Sequence, residues 1–295
     1  MSRSSLQRKD TAWFTAQHVQ CSYCGTAEGK TLRKREPYRM IRCTHCNFVY
    51  LNPRPLEEEL KKYYQHSYLP RGPSEIQRWS KMMNRVFDNA ADHIERYGTK
   101  GTILDVGCGF GFFLHHMKQK GWEVAGLELS LSGIHYAREE LKISVVDTPF
   151  EQADLPKEYF DVITLFYVIE HTYDPLSFLK KIHTLLKPRG IIFLRYPHTT
   201  FVERLLTSLG IENNLYDIPF HLSDFTPHTI ERFLIKAGFS NCEHFIGGYT
   251  LPQKFSHKMS SVIFGFLAEA VFQLSFKVCL LPGVSKSIIA QKNSH

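Results

Sequence analysis

Residues 103–111 read Ile103-Leu104-Asp105-Val106-Gly107-Cys108-Gly109-Phe110-Gly111, an apolar run that enters three glycines and then an apolar helical pattern. Glycine belongs where a backbone turns tightly and must approach a ligand with no Cβ in the way. The helix that follows offers unpaired N–H groups in its first turn. The next apolar run, Trp122–Leu127, ends at Glu128, where a carboxylate can accept hydrogen bonds from both ribose hydroxyls of a nucleoside. Two details favour an adenosyl cofactor over a dinucleotide. The glycines are spaced Gly-x-Gly-x-Gly, and Phe112 stands where a dinucleotide fingerprint needs its third glycine. Asp105 precedes the first glycine by two residues, where it can face a cationic group but would repel a pyrophosphate. A nicotinamide dehydrogenase is disfavoured on both counts.

Outward from this turn, short apolar runs alternate with helical patterns, as in βαβ units around a parallel sheet. Strands are expected at Thr102–Val106, Trp122–Leu127, Ile143–Val146, Phe160–Phe166 and Gly190–Tyr196. Helices are expected at Phe110–Lys120, Ser132–Leu141 and Pro175–Leu186, then at Thr226–Gly238, before strands at Cys242–Ile246 and Ser287–Gln291. The fourth strand leads into Val168-Ile169-Glu170-His171-Thr172-Tyr173-Asp174-Pro175.

Two cysteine pairs lie nearer the start, Cys21-Ser22-Tyr23-Cys24 and Cys43-Thr44-His45-Cys46. Two knuckles of this type match a structural zinc ribbon, with four thiolates closing a tetrahedral site. Such a metal has no open position for catalysis. The other cysteines, Cys108, Cys242 and Cys279, are far apart, and seven in all is no disulfide framework.

Together these segments resemble the class I S-adenosylmethionine-dependent methyltransferases, in particular the bacterial branch with an N-terminal zinc ribbon and a fourth-strand Glu-His followed by Asp-Pro. The similarity covers about residues 100–245 and continues through Leu186-Lys187-Pro188-Arg189-Gly190 and from His221-Leu222 to Ala237-Gly238-Phe239. It implies an α/β fold: a Rossmann-like seven-stranded methyltransferase sheet with helices on both faces, preceded by the small ribbon. It also implies roles. Asp105 and the loop Gly107, Cys108, Gly109 and Gly111 would hold the methionyl end of S-adenosyl-L-methionine. Glu128 and Leu129 would meet the ribose, Pro149, Phe150 and Glu151 would border the adenine, and Phe166 would sit beside the methionine tail. The zinc ligands would be Cys21, Cys24, Cys43 and Cys46. Members often carry Asn after the fifth-strand proline; here Pro197 precedes His198, which leaves the acceptor side less defined.

The sulfonium methyl is already electrophilic, so the protein must align an acceptor and exclude water. A hydroxyl acceptor gains from a base. His171, with an ordinary pKa of about 6.5, suits that task, with Glu170 beside it; the alternative is that this pair only orients the following turn. Enzymes that methylate exocyclic amines of bases usually carry an Asn/Asp-Pro-Pro-aromatic tetrad, and Tyr167 to His171 contain no proline pair.

The charge balance, 36 Lys and Arg against 29 Asp and Glu, is uneven: the first 100 residues hold 18 against 10. Arg33-Lys34-Arg35 is expected on an exposed loop, as a solvated face or a contact for phosphate. The chain divides into a polar leader (1–19), the ribbon (20–54), a helical connector (55–98) and the methyltransferase domain (99–295). Tyr63, Tyr64 and Tyr68 in the connector are candidates for the cofactor mouth. An apolar insertion at about 255–283 carries Glu269, Gln273 and Lys277 four apart, so one helix would align them in a stripe. Packing on its own domain, a homodimer interface and peripheral membrane contact through 261–281 all remain open. The polar start has no signal-peptide pattern, and the expected place is the cytoplasm, with a peripheral position on the inner face of the membrane as its variant. The leading expectation is methylation of a small or carrier-linked acceptor, first a hydroxyl of a sugar or lipid-linked glycan. Two alternatives stand beside it: an RNA methyltransferase using the ribbon as a handle, and a non-catalytic zinc-binding scaffold with a relic cofactor pocket.

Overall fold

The computed structural model describes residues 14–98, 100–248, 250, 255–277, 279–283 and 285–293. Most of the expected polar leader lies outside them. The front end contains β1 (Ala16–Gln17), β2 (Gly29–Arg35), β3 (Tyr38–Cys43), β4 (Val49–Leu51) and β5 (Arg54–Pro55), followed by α1 (Glu57–Ser67) and α2 (Pro73–Glu95). The helical connector is therefore two helices. Pro70 and Gly72 fall in the break, and Pro73 starts α2 at its first turn, where a missing N–H costs nothing. Ile76, Met83, Val86, Phe87, Ala90 and Ile94 form the buried stripe of α2.

The remaining elements are β6 (Thr102–Val106), α3 (Phe112–Gln119), β7 (Glu123–Leu127), α4 (Leu131–Glu139), β8 (Val145–Val146), β9 (Phe160–Phe166), α5 (Pro175–Leu185), β10 (Leu186–Tyr196), α6 (Thr200–Ser208), β11 (Ser223–Asp224), α7 (Pro227–Lys236), β12 (Phe239–Phe245), α8 (Phe255–Leu274) and β13 (Lys286–Lys292). Seven of these strands form one sheet in the order β12-β13-β10-β9-β6-β7-β8. The pairs among β6 to β10 are parallel, and β13 runs antiparallel to both neighbours. The central strands β6 and β9 and the Gly190–Tyr196 part of β10 are largely apolar and buried, as a sheet covered on both faces requires. Strand order reverses beside β6, and the crevice outside the strand ends at that point is where this architecture receives ligands.

The ribbon is joined to this domain through its own sheet, ordered β11-β4-β3-β2. Ser223 and Asp224 pair with Tyr50 and Val49, so a segment of the C-terminal half closes the edge that β4 would otherwise expose. Asp224 is buried and fixes this segment: it accepts bonds from the backbone N–H and hydroxyl of both Thr199 and Thr200. Phe48 of the ribbon packs between Phe225 and Phe233, with ring centroids 5.3 and 4.8 Å away.

Two local expectations change. The basic stretch lies on β2, and Arg33 is tied to the catalytic domain through Glu203 and the Asn213 carbonyl instead of standing on a free loop. Helix α8 stops at Leu274; Phe276 and Lys277 both take left-handed φ values, so Lys277 leaves the stripe formed by Glu269 and Gln273. Gly265, Ala268 and Phe272 of α8 are buried, whereas Ile263, Phe264 and Phe266 face outward. Self-packing therefore accounts for one side of the helix. Among the described residues no helix is long and apolar enough to cross a membrane.

Truncation at the ribbon's anchor tests this integration. Phe48→Ala is expected to lower unfolding free energy by about 3–5 kcal/mol, the usual cost of deleting a buried ring, with ribbon and sheet melting in one transition. Urea unfolding followed at both regions measures it; a small loss confined to the ribbon would contradict the shared core.

Candidate functional site

A cavity of about 540 Å³ opens at the crevice beside β6. The glycine turn at its floor depends on backbone freedom. Gly107 has φ +74°, and a Cβ there would lie 2.7 Å from Val168 Cγ2. Gly111 also has positive φ, but it serves packing: its Cβ would press Ala137 at 3.1 Å, and it is not among the lining residues.

Asp105 and Glu128 enter the cavity from the ends of adjacent strands. Asp105 is buried and accepts a bond from Thr164 Oγ1 at 2.7 Å. Burial, opposed by that bond and reinforced by the charge of Glu128, pushes its carboxyl up to about 8. Glu128 takes three backbone donors: Gly109 N–H at 2.7 Å on one oxygen, Leu129 and Ser130 N–H at 2.8 and 2.7 Å on the other. Burial raises its pKa against the pull of these bonds. A pair of desolvated carboxylates beside a glycine turn fits a ligand that brings positive charge and hydroxyl donors, the chemistry of an S-adenosylmethionine amino-acid tail and ribose.

The other predicted residues distribute as follows. Gly107, Cys108, Gly109, Leu129, Phe150, Glu151, Phe166, Glu170 and His171 line the cavity, while Pro149 does not. Phe150 also packs on Phe178 at 4.5 Å, and Phe166 on Phe113 at 4.7 Å. Of the three tyrosines, Tyr64 and Tyr68 line the cavity, whereas Tyr63 stacks on Phe220.

Glu170 and His171 occupy a 3-10 turn, Ile169–His171, directly after β9. His171 Nδ1 lies 2.9 Å from the Phe220 carbonyl and 3.0 Å from the Tyr64 hydroxyl. A carbonyl only accepts, so Nδ1 carries the proton and Nε2 the lone pair in the neutral ring. Glu170 is buried, neither carboxylate oxygen has a hydrogen-bond partner among the described residues, and burial pushes it up to about 8. Ligand atoms of Glu170, His171 and His221 lie within 4.8 Å of one another, a group able to hold a cation.

The second such group is Cys21, Cys24, Cys43 and Cys46, also within 4.8 Å. Cys21–Cys46 and Cys24–Cys43 sulfurs are 3.5 Å apart. A tetrahedron with Zn–S bonds of about 2.3 Å has edges of about 3.8 Å, so the four sulfurs fit that ion. The cluster is an intact part of the ribbon core, away from the cavity lining.

Sequence reasoning did not single out Trp79, Tyr167, Thr250 or Ser285 as site residues, all of which line the cavity. Trp79 reads as one more apolar position in a helical period. Tyr167 offers a signal only in three dimensions, through its φ of +60°. Thr250 and Ser285 carry no local pattern.

A model of the methyltransferase-domain family matches residues 78–244, more than half of the chain, and the protein belongs to that family. It is an S-adenosylmethionine-dependent methyltransferase. The chain is 30% identical over 179 residues to the ubiquinone biosynthesis O-methyltransferase of Histophilus somni, across 52% of this chain and 75% of that relative. Coverage of other relatives with that name ranges from 56% to 82% of their length. Its fold is similar to an S-adenosylmethionine-dependent methyltransferase of Archaeoglobus fulgidus, with a TM-score of 0.50, 21% identity, and coverage of 72% of this chain and 97% of that one. It is also similar to phosphoethanolamine N-methyltransferase 2 of Haemonchus contortus in complex with S-adenosyl-L-methionine, with a TM-score of 0.54, 14% identity, and coverage of 85% and 65%. Membership of an enzyme family removes the relic-scaffold alternative.

The raised carboxyls Asp105 and Glu170 contribute a pH dependence of stability of defined sign in the ligand-free protein, opposed by buried His198 and Lys286, held down to about 4 and about 7. Asp105 shifts from 3.8 to about 8 on folding and Glu170 from 4.5 to about 8. Between those values the folded state keeps protons that the unfolded chain has released, so the contribution of these two carboxyls to stability falls as pH rises. From pH 5 to 8 Asp105 alone is expected to account for a loss on the order of 3 kcal/mol, which Asp105→Asn removes. Urea midpoints at both pH values test this; an unchanged slope in Asp105→Asn would exclude the residue as a source.

Proposed function

We propose that this enzyme methylates a hydroxyl on a small, planar, largely apolar acceptor, with His171 as the base. The observation that carries the reading is His171: its Nδ1 is held by the Phe220 carbonyl, inside the cavity that Asp105 and Glu128 also enter. S-adenosylmethionine, when bound, supplies an electrophilic methyl on a sulfonium. Asp105 would face the cationic amino-acid end, and its carboxyl would ionise there. Glu128 would accept from the ribose hydroxyls, with Leu129, Phe150 and Glu151 beside the nucleoside. Tyr64 of α1, Tyr68 just after it and Trp79 of α2 line the crevice and, with cofactor and acceptor bound, would exclude water. The Nε2 lone pair of His171 would take the acceptor's hydroxyl proton as the new bond forms.

The walls bear on the acceptor. Tyr64, Tyr68, Trp79, Phe87 and Phe166 suit a flat apolar body better than the hydroxyl-rich ring of a sugar or glycan. The relatives named as O-methyltransferases point to the same acceptor atom. Cys21, Cys24, Cys43 and Cys46 would hold a structural zinc, with burial of the unmetallated thiols, Cys21 pushed up to about 11, offset by the ion.

Calorimetry with S-adenosylhomocysteine, then methyl transfer to catechol-like and sugar acceptors, tests the reading. Glu128→Ala is expected to weaken cofactor affinity at least about tenfold. His171→Ala is expected to lower kcat by about 10²–10⁴ with cofactor affinity nearly unchanged. Equal losses in both quantities would assign His171 to structure alone. Separately, a single tightly bound zinc is expected in the purified protein, lost in Cys43→Ser; a metal-free protein of unchanged stability would remove the zinc reading.

A further inference from the structure

Tyr167 stands where β9 ends and lines the cavity. Its φ of +60° is a left-handed conformation that a bulky residue keeps only when its surroundings impose it. Arg195, on the neighbouring β10, supplies that constraint at both ends. The Tyr167 N–H donates to the Arg195 carbonyl at 2.8 Å, and Arg195 Nε donates to the Tyr167 phenolic oxygen at 2.8 Å.

Arg195 itself is 2% exposed. Its other donors go to the carbonyls of Ile246, Gly247 and Gly248 and to Ser287 Oγ. Gly247 and Gly248, at φ +69° and +75°, curl around the guanidinium, and a Cβ on Gly247 would lie 2.7 Å from Nη1. None of the acceptors that these bonds reach is a carboxylate. Lys286, one register step away on β13, is also buried, and its ammonium is held down to about 7 by burial and by the charge of Arg195. A guanidinium carried into the interior with no anion beside it among the described residues is unfavourable unless another partner supplies the charge.

The cavity is thus sorted by charge. Asp105 and Glu128 sit at the glycine turn, and the buried cation stands behind Tyr167. Because the Tyr167 oxygen already accepts from Arg195, its own proton is available to an acceptor in the cavity that Tyr167 lines. We propose that the Tyr167 hydroxyl, polarised by Arg195, binds a carboxylate of the methyl acceptor, which makes the substrate class a hydroxylated aromatic acid. A carboxylate needs no donor hydrogen of its own, and a ring beneath it fits the aromatic walls. Tyr167 is in this account a substrate-binding residue and Arg195 a positioning one. The inference rests on the hydroxyl-methylation reading above and narrows its substrate.

The test uses the full chain saturated with S-adenosylhomocysteine and two probes of similar size, benzoate and benzyl alcohol. Wild type is expected to bind benzoate at least about tenfold more tightly than benzyl alcohol, the discrimination that a charge-assisted bond gives. Tyr167→Phe, which keeps the ring, is expected to erase that preference while leaving S-adenosylhomocysteine and benzyl alcohol affinities within about twofold. Equal binding of the two probes, no binding of either, or a preference that survives in Tyr167→Phe would overturn the inference. Failure of S-adenosylhomocysteine to bind the wild type would instead strike the reading on which it rests.

Discussion

The carboxylate of Glu128 is the constraint around which the site is arranged. Its two oxygens reach in opposite directions along the chain, one to the glycine turn after β6 and one to the start of α4. The side chain therefore fixes the glycine turn after β6 against the segment that leads into α4. Three backbone donors oppose the rise that burial imposes on its pKa. Asp105, on the adjacent strand, has one hydroxyl donor and remains far less satisfied. The difference between the two carboxyls leaves one as scaffold and the other as an unmet demand for positive charge.

The ribbon and the paired helices complete the crevice from the front. Helix α1 brings Tyr64 to His171, while the ribbon sheet receives β11 from the segment that also supplies Phe220 and His221. His171, the Phe220 carbonyl that it meets and Tyr64 thus come from three separate stretches of chain. Metal binding at the cysteines would act on this arrangement by stiffening the ribbon on which it leans, with no direct part in the chemistry.

The parallel sheet was legible because its signals are local. An apolar strand running into Gly107, Gly109 and Gly111 has few alternatives, and the crossover helices matched their periodic patterns closely. The cysteine knuckles were legible for the same reason. The connector was read as one helical stretch because its apolar period, Ile76 to Ile94, lies wholly in α2, while the breakers Pro70, Gly72 and Pro73 divide α2 from the charged and tyrosine-rich α1. The pairing of Ser223 and Asp224 with the ribbon left no trace, since two residues show no periodicity and their partners lie far off in sequence. Arg195 was hidden in a different way: a cation within the apolar run Gly190–Tyr196 reads as an outward-facing position, and only the packed loop of Gly247 and Gly248 reveals it as interior.

The pairing between β4 and β11 also orders events in time. Tyr50 meets Ser223 across 173 residues, so during synthesis the ribbon emerges with one edge open long before its closing strand exists. Contacts of such separation form late, and an open strand edge in the meantime is a template for wrong partners. The front end of this protein can be present on the ribosome for most of the chain's elongation, yet it reaches its final shape only when the enzyme behind it is nearly whole.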